Sequence, residues 1–144
     1  MLAKLTQTAA PLGATALERA THALMVLPFA KKLDGLRDVP ALDRLRAALK
    51  RRDMKAGELA KTPVSVNLAD GGLCSFVMLD GGKSAFERQN VLRRAMAPLM
   101  EEQPRELVLA LFGSAEVRRE NAREALYVAW LNGVRLPTRR KKPA

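Results

Sequence analysis

The chain has 144 residues, 48% of them hydrophobic, which suffices for one well-filled core and is too short for two comfortable domains. Lys and Arg number 25 against 15 Asp and Glu, a formal net charge of +10 that favours anionic partners such as nucleic acid or acidic protein surfaces. Aromatic residues make up only 4%, which argues against base-stacking platforms for single strands, and the single cysteine, Cys74, excludes an internal disulfide.

Near the amino terminus, LTQT at residues 5–8 predicts an edge strand and ATALERA at 14–20 a helical turn. The densest apolar run, ALMVLPFA at 23–30, is about half the length a membrane span needs, so neither a signal peptide nor a membrane helix is expected. Its core, HALMVL at 22–27, carries β-branched content and stops at Pro28, which suits a buried strand. A helix is predicted from about Pro40 to Arg52, with Asp38 as its cap, Pro40 in the first turn, and Leu42, Leu45, Ala48 and Leu49 recurring on one face. Its outer face and exit are crowded with Arg44, Arg46, Lys50, Arg51, Arg52 and Lys55, offset only by Asp43 and Asp53.

In VSVNLA, Val64, Val66 and Leu68 alternate with Ser65 and Asn67, the pattern of a strand with one wet face. Asp70-Gly71 or Gly71-Gly72 then supplies a hairpin turn, and Leu73 to Leu79 returns antiparallel as a continuous apolar strand. Within it Cys74 reads as a small hydrophobe, consistent with a reducing, cytoplasmic setting. Beyond Asp80 the period changes: Ser84 and Glu87 have capping-box spacing, and a helix to about Met100 should bury Val91, Leu92, Ala95, Met96 and Leu99. Pro98 is expected to kink that helix or end it early. Leu107 to Phe112 is apolar on both faces, as a covered strand must be, and strand, helix, strand predicts a parallel right-handed crossover. Gly113-Ser114 opens a last helix packed through Ala122, Ala125, Leu126 and Ala129, stopped by Gly133 and Pro137. The fold class is α/β, a mixed sheet with helices on both sides. Residues 1–134 form the domain, and 135–144, with five cations, a basic linker or tail.

Chemistry-bearing motifs are sparse. Gly81, Gly82, Lys83 and Ser84 form a strand–turn–helix junction, where free backbone amides can hold an anion, although the spacing is not that of a P-loop. The plainer reading is punctuation between elements. His22 is the only histidine, so a histidine-rich metal site is excluded and any Ser-His-Asp triad would rest on it alone; a structural histidine is expected. Asp70 and Asp80 read as turn residues. Tyr127, Val128 and Trp130 flank the packed face of the last helix, and either cover the sheet edge or form an interdomain surface. The basic residues are either a solvated face or phosphate contacts, in which case Arg44, Lys50, Arg51, Arg52, Lys55, Arg139, Arg140, Lys141 and Lys142 are the nucleic-acid ligands.

Three segments, FVMLDGGKSAFE, RELVLALFG and AREALYVAWLNGVRLPTRRKKPA, together resemble the amino-terminal domain of the M17 leucyl aminopeptidases, in order and spacing from about Val39 onward. Asp80-Gly81-Gly82-Lys83 stands where that family often has Gly-Leu-Gly-Lys, and Leu131 to Arg135 where an aromatic, basic exit leads into a lysine-rich linker. The resemblance implies a three-layer α/β domain with a macro-domain-like sheet, ahead of a metallopeptidase domain that forms hexamers. It implies that the two divalent ions (Zn or Mn) and the Asn-Thr-Asp-Ala-Glu-Gly-Arg stretch belong to that carboxy-terminal domain, so no catalytic, cofactor or metal residue carries over to this chain. The expected function is therefore a non-catalytic assembly or regulatory domain, partnered by a peptidase domain in the same polypeptide or oligomer. Some bacterial members of the family bind DNA, which supports the nucleic-acid alternative, and fold analogy alone suggests an ADP-ribose-type ligand near Gly81 to Ser84.

Overall fold

The computed structural model describes residues 4–7, 21–36, 39–68 and 71–131. Among the described residues, five strands form one sheet: β1 (Lys4–Gln7), β2 (His22–Pro28), β3 (Val64–Asn67), β4 (Leu73–Leu79) and β5 (Glu106–Leu111). Their order is β1-β5-β2-β4-β3. The first four run parallel, and β3 alone pairs antiparallel, with Val64 opposite Phe76 and Val66 opposite Cys74. The hairpin turn between β3 and β4 places Gly71 at φ +87°, and Leu68 donates to the Gly72 carbonyl at 2.7 Å. A left-handed residue closes so tight a turn, and glycine adopts it without a Cβ clash.

Among the described residues, three helices cover the sheet: α1 (Leu42–Arg51), α2 (Ala85–Met100) and α3 (Ala115–Leu131). Because side chains alternate along a strand, each central strand feeds two cores. Ala23, Met25 and Leu27 of β2, with Cys74, Phe76 and Met78 of β4, pack with Leu45, Ala48 and Leu49 of α1. Leu24 and Val26, with Val77, Leu79, Leu107 and Leu109, pack with α2 and α3 on the other face. The result is a three-layer α/β/α fold. The largest fully buried side chains, Phe76 and Leu92 among them, each contribute on the order of 1.5–3 kcal/mol relative to exposure. Ser75 is the buried polar exception, with Oγ unpartnered among the described residues.

Several sequence expectations need correction. Helix α1 begins at Leu42 behind Ala41, which sits at φ 64° and makes no side-chain cap, so Pro40 precedes the helix instead of entering its first turn. The proposed cap Asp38 lies outside the described residues. Lys55 falls beyond the helix: Asp53 at φ 55° turns the chain, with Met54 donating to the Leu49 carbonyl, before a 3-10 turn over Ala56–Ala60. Pro98 does not end α2 early, since the helix continues to Met100. A proline there forfeits one backbone bond in the last turns, while Leu99, fully buried, keeps that end docked. Strands β4 and β5 are parallel as expected, but β2 lies between them, so their crossover spans a strand. Gly133, Pro137 and the segment 14–20 lie outside the described residues.

Candidate functional site

In the turn at Gly81–Ser84, the amides of Gly82, Lys83 and Ser84 are taken up by neighbouring residues. Gly82 N–H donates to Asp80 Oδ1 at 2.9 Å and Lys83 N–H to the Asp80 carbonyl at 3.0 Å. Ser84 and Glu87 form the anticipated capping box, with Ser84 N–H donating to Glu87 Oε1 at 3.3 Å and Glu87 N–H to Ser84 Oγ at 3.2 Å. Asp80 and Glu87 thus supply the negative charge that an external anion would bring. The Lys83 carbonyl accepts from Arg88 Nη1, and Arg88 also grips Glu124 of α3, with Nε at 2.8 and 3.0 Å from its two oxygens. That hydrogen bond to Glu124, together with the charges of Glu124, Glu120 and Asp80, raises the Arg88 pKa against the opposing effect of desolvation. The junction is consequently clamped to both outer helices. Beside it, the Lys83 side chain faces a cleft of about 340 Å³ shared with Lys61, Asn90 and Arg94.

On the opposite layer, Arg44, Arg46, Lys50 and Arg51 of α1 are exposed, as are Arg52 and Lys55 after it. Two are engaged: Arg44 Nη1 donates to the Asn67 carbonyl at 3.1 Å, covering the end of edge strand β3, and Arg46 Nη2 pairs with Asp34 Oδ1 at 3.1 Å. Lys50 and Lys55, together with Arg46, line a groove of about 630 Å³ between α1 and the segment after β2, and Arg51 and Arg52 are not among its described lining residues. The structure therefore divides the basic cluster that the sequence presents as one. It also brings in Lys31 and Lys32, which sequence reasoning passed over; their adjacency after a buried strand was the available signal. Arg139, Arg140, Lys141 and Lys142 lie outside the described residues.

His22 opens β2 with Nε2 2.7 Å from Glu102 Oε1 and Nδ1 2.9 Å from Thr21 Oγ1. A hydroxyl, an imidazole and a carboxylate are in line, but Glu102 stands out in solvent, so the contact ties the start of β2 to the exit of α2. Cys74 is buried, and desolvation pushes its thiol up to about 12, which keeps it protonated and unreactive at neutral pH. Among the described residues no three His, Cys, Asp or Glu side chains group as a metal site. Also among them, no helix is long and apolar enough to cross a membrane.

The carboxy-terminal end of α3 is the other unusual surface. Ala122, Ala125, Val128 and Ala129 are buried, which removes Val128 from the surface set. Tyr127, Trp130 and Leu131 remain 48%, 60% and 52% exposed. Spaced i, i+3 and i+4, they share one face and form a contiguous apolar patch. Comparison with family models, with curated proteins and with solved structures finds no match to this chain.

Proposed function

We propose that this chain is a non-catalytic docking domain of the leucyl-aminopeptidase amino-terminal type, acting in the cytoplasm on assembly or regulation of a metallopeptidase domain. The observation that carries this reading is the Tyr127, Trp130 and Leu131 patch. The small residues of α3 already pack the helix onto the sheet, and these three large side chains are not among the described residues of the core. Covering them would remove apolar surface from water at about 25 cal/mol per Å². A partner domain seated at the exit of α3 does that, and the resemblance places the peptidase domain there.

Trp130 is the only tryptophan, so its emission reports the docking directly. Addition of an M17 catalytic domain in trans is expected to shift that emission to the blue, and Trp130→Glu to abolish the binding. Purified chain supplied with manganese or zinc should leave leucine amide intact; metal-dependent turnover by the chain itself would end the non-catalytic assignment.

A second reading is favoured by one specific observation, the exposure of Arg51 and Arg52, without an ion pair among the described residues, beside Arg44 and Lys50 on α1. In that reading the helix and the basic tail contact nucleic-acid phosphates. Duplex affinity would then fall steeply with salt, and neutralising Arg139, Arg140, Lys141 and Lys142 would flatten the log–log slope by roughly 0.9 per lost phosphate contact. Absence of duplex binding at low salt would remove it.

A further inference from the structure

We infer that the groove between α1 and the segment after β2 is a docking site for an acidic amphipathic peptide helix. Its floor is apolar: Leu33, Leu49 and Ala56 are almost fully buried, and Met54 is half-buried. Its rim is cationic: Lys31, Lys32, Lys50 and Lys55 are all exposed. Among the described residues, the one carboxylate in the lining, Asp34, is already paired with Arg46, and none of the four lysines has an ion pair. Charge complementarity selects an anionic occupant, and the floor selects one with apolar side chains on the same face.

A duplex satisfies only the first condition. Phosphates would meet the lysines, but the half-buried Met54 and the lysine stems would be left facing a hydrated backbone, and among the described lining residues there is no aromatic ring to stack on a base. A helix with Leu or Met at i, i+3 and i+4 seats those side chains on the floor and places flanking Glu or Asp within reach of the lysines. At about 630 Å³ the groove has room for several such side chains. Lysine is suited to this rim because its methylene stem extends the apolar wall while its ammonium stays in water. This site lies apart from the Trp130 patch in the sequence and in the layer it occupies, so it stands or fails separately from the docking function proposed above.

The test uses the full chain and fluorescence anisotropy with three labelled probes. The first is a helical peptide of about 15 residues, carrying Leu on one face and Glu around it. The second is the same composition scrambled so that no apolar face forms, and the third is a duplex DNA of comparable charge. The expected result is that the amphipathic probe binds at least about tenfold more tightly than the scrambled one, and more tightly than the duplex. The paired exposed substitution Lys32→Glu with Lys50→Glu should weaken it by about tenfold or more, with an unchanged circular dichroism spectrum. Met54→Gln, which removes apolar floor without reversing charge, should weaken the amphipathic probe and spare the scrambled one. Equal binding of the two peptides, preference for the duplex, or indifference to the double charge reversal would each overturn the inference.

Discussion

The Arg88–Glu124 pair offers a direct measurement of what holds α2 and α3 together. Both side chains are about four-fifths buried, at 21% and 19% relative exposure, and Nη2 adds a 2.7 Å contact to the two made by Nε. The fork geometry matches a carboxylate, so the interaction is stronger than an ordinary surface pair. Replacing Glu124 by Gln retains the shape and one acceptor oxygen, but removes the negative charge and the second acceptor of the fork. A hydrogen bond to a charged group is worth about 1.5–3 kcal/mol net, and a fully buried pair loses about 3–5 kcal/mol when one partner is removed. Partial exposure and the nearby charges of Glu120 and Asp80 place Glu124→Gln near the lower figure, about 2 kcal/mol. Arg88→Met also releases the Lys83 carbonyl, so its cost should be slightly larger, about 2–3 kcal/mol.

For a chain of this size those losses correspond to roughly 6–10 °C in Tm. Urea titrations of wild type, both single variants and the double variant give the coupling energy, expected at about 1–2 kcal/mol. Since water and ions reach the pair poorly, most of that coupling should survive 1 M salt. A coupling within experimental scatter of zero, or one that vanishes in salt, would show the pair to be a surface ornament and would free the Gly81–Ser84 turn from its supposed clamp.

Gly113 sits at φ +113°, and a Cβ there would lie 3.3 Å from Val117 Cγ1 and 3.4 Å from the Pro28 ring. Gly113→Ala is therefore expected to destabilise by about 1–3 kcal/mol, read by thermal melting; an unchanged Tm would contradict that geometry. The Cys74 thiol is raised in the folded chain from about 9 to about 12, so between those pH values the unfolded chain ionises while the folded chain does not. The folded state then holds more protons, and stability should fall with rising pH across that window by up to about 1.4 kcal/mol per unit. Cys74→Ala should unfold in urea with a correspondingly shallower alkaline slope, and identical slopes would refute the burial argument. Below pH 9 the two should share the same pH dependence.

Much of the local structure was legible because it depends on near neighbours. Alternation along Val64 to Leu68 marks a half-wet strand, and it is one. The five inward positions predicted for α2 are the five that are buried, because the 3.6-residue period leaves them no other face. The Ser84–Glu87 cap is a three-residue interaction and was readable as such. A correction was needed where a local preference met another constraint: Ala41 takes the cap position of α1 in a left-handed conformation, whereas the helix carrying Pro98 ends at Met100, about where it was expected to.

The candidate sites were less legible. Six cations around α1 look alike in sequence, yet Arg44 covers a strand edge, Arg46, Lys50 and Lys55 line a groove, with Arg46 also paired to Asp34, and Arg51 and Arg52 do neither. That sorting needs Lys31 and Lys32, which belong to a different element and arrive only through packing. Sequence by itself determined which segments become strands and helices, the two-faced apolar demand of β2, β4 and β5, and the excess of positive charge. Only the tertiary structure decided that β2 lies between β4 and β5, that Arg88 meets a carboxylate 36 residues away, and that an apolar floor opens among the lysines. The physical reason is range: periodicity and capping act within a few residues, whereas strand order and convergent side chains depend on how the crossovers bring remote segments into contact.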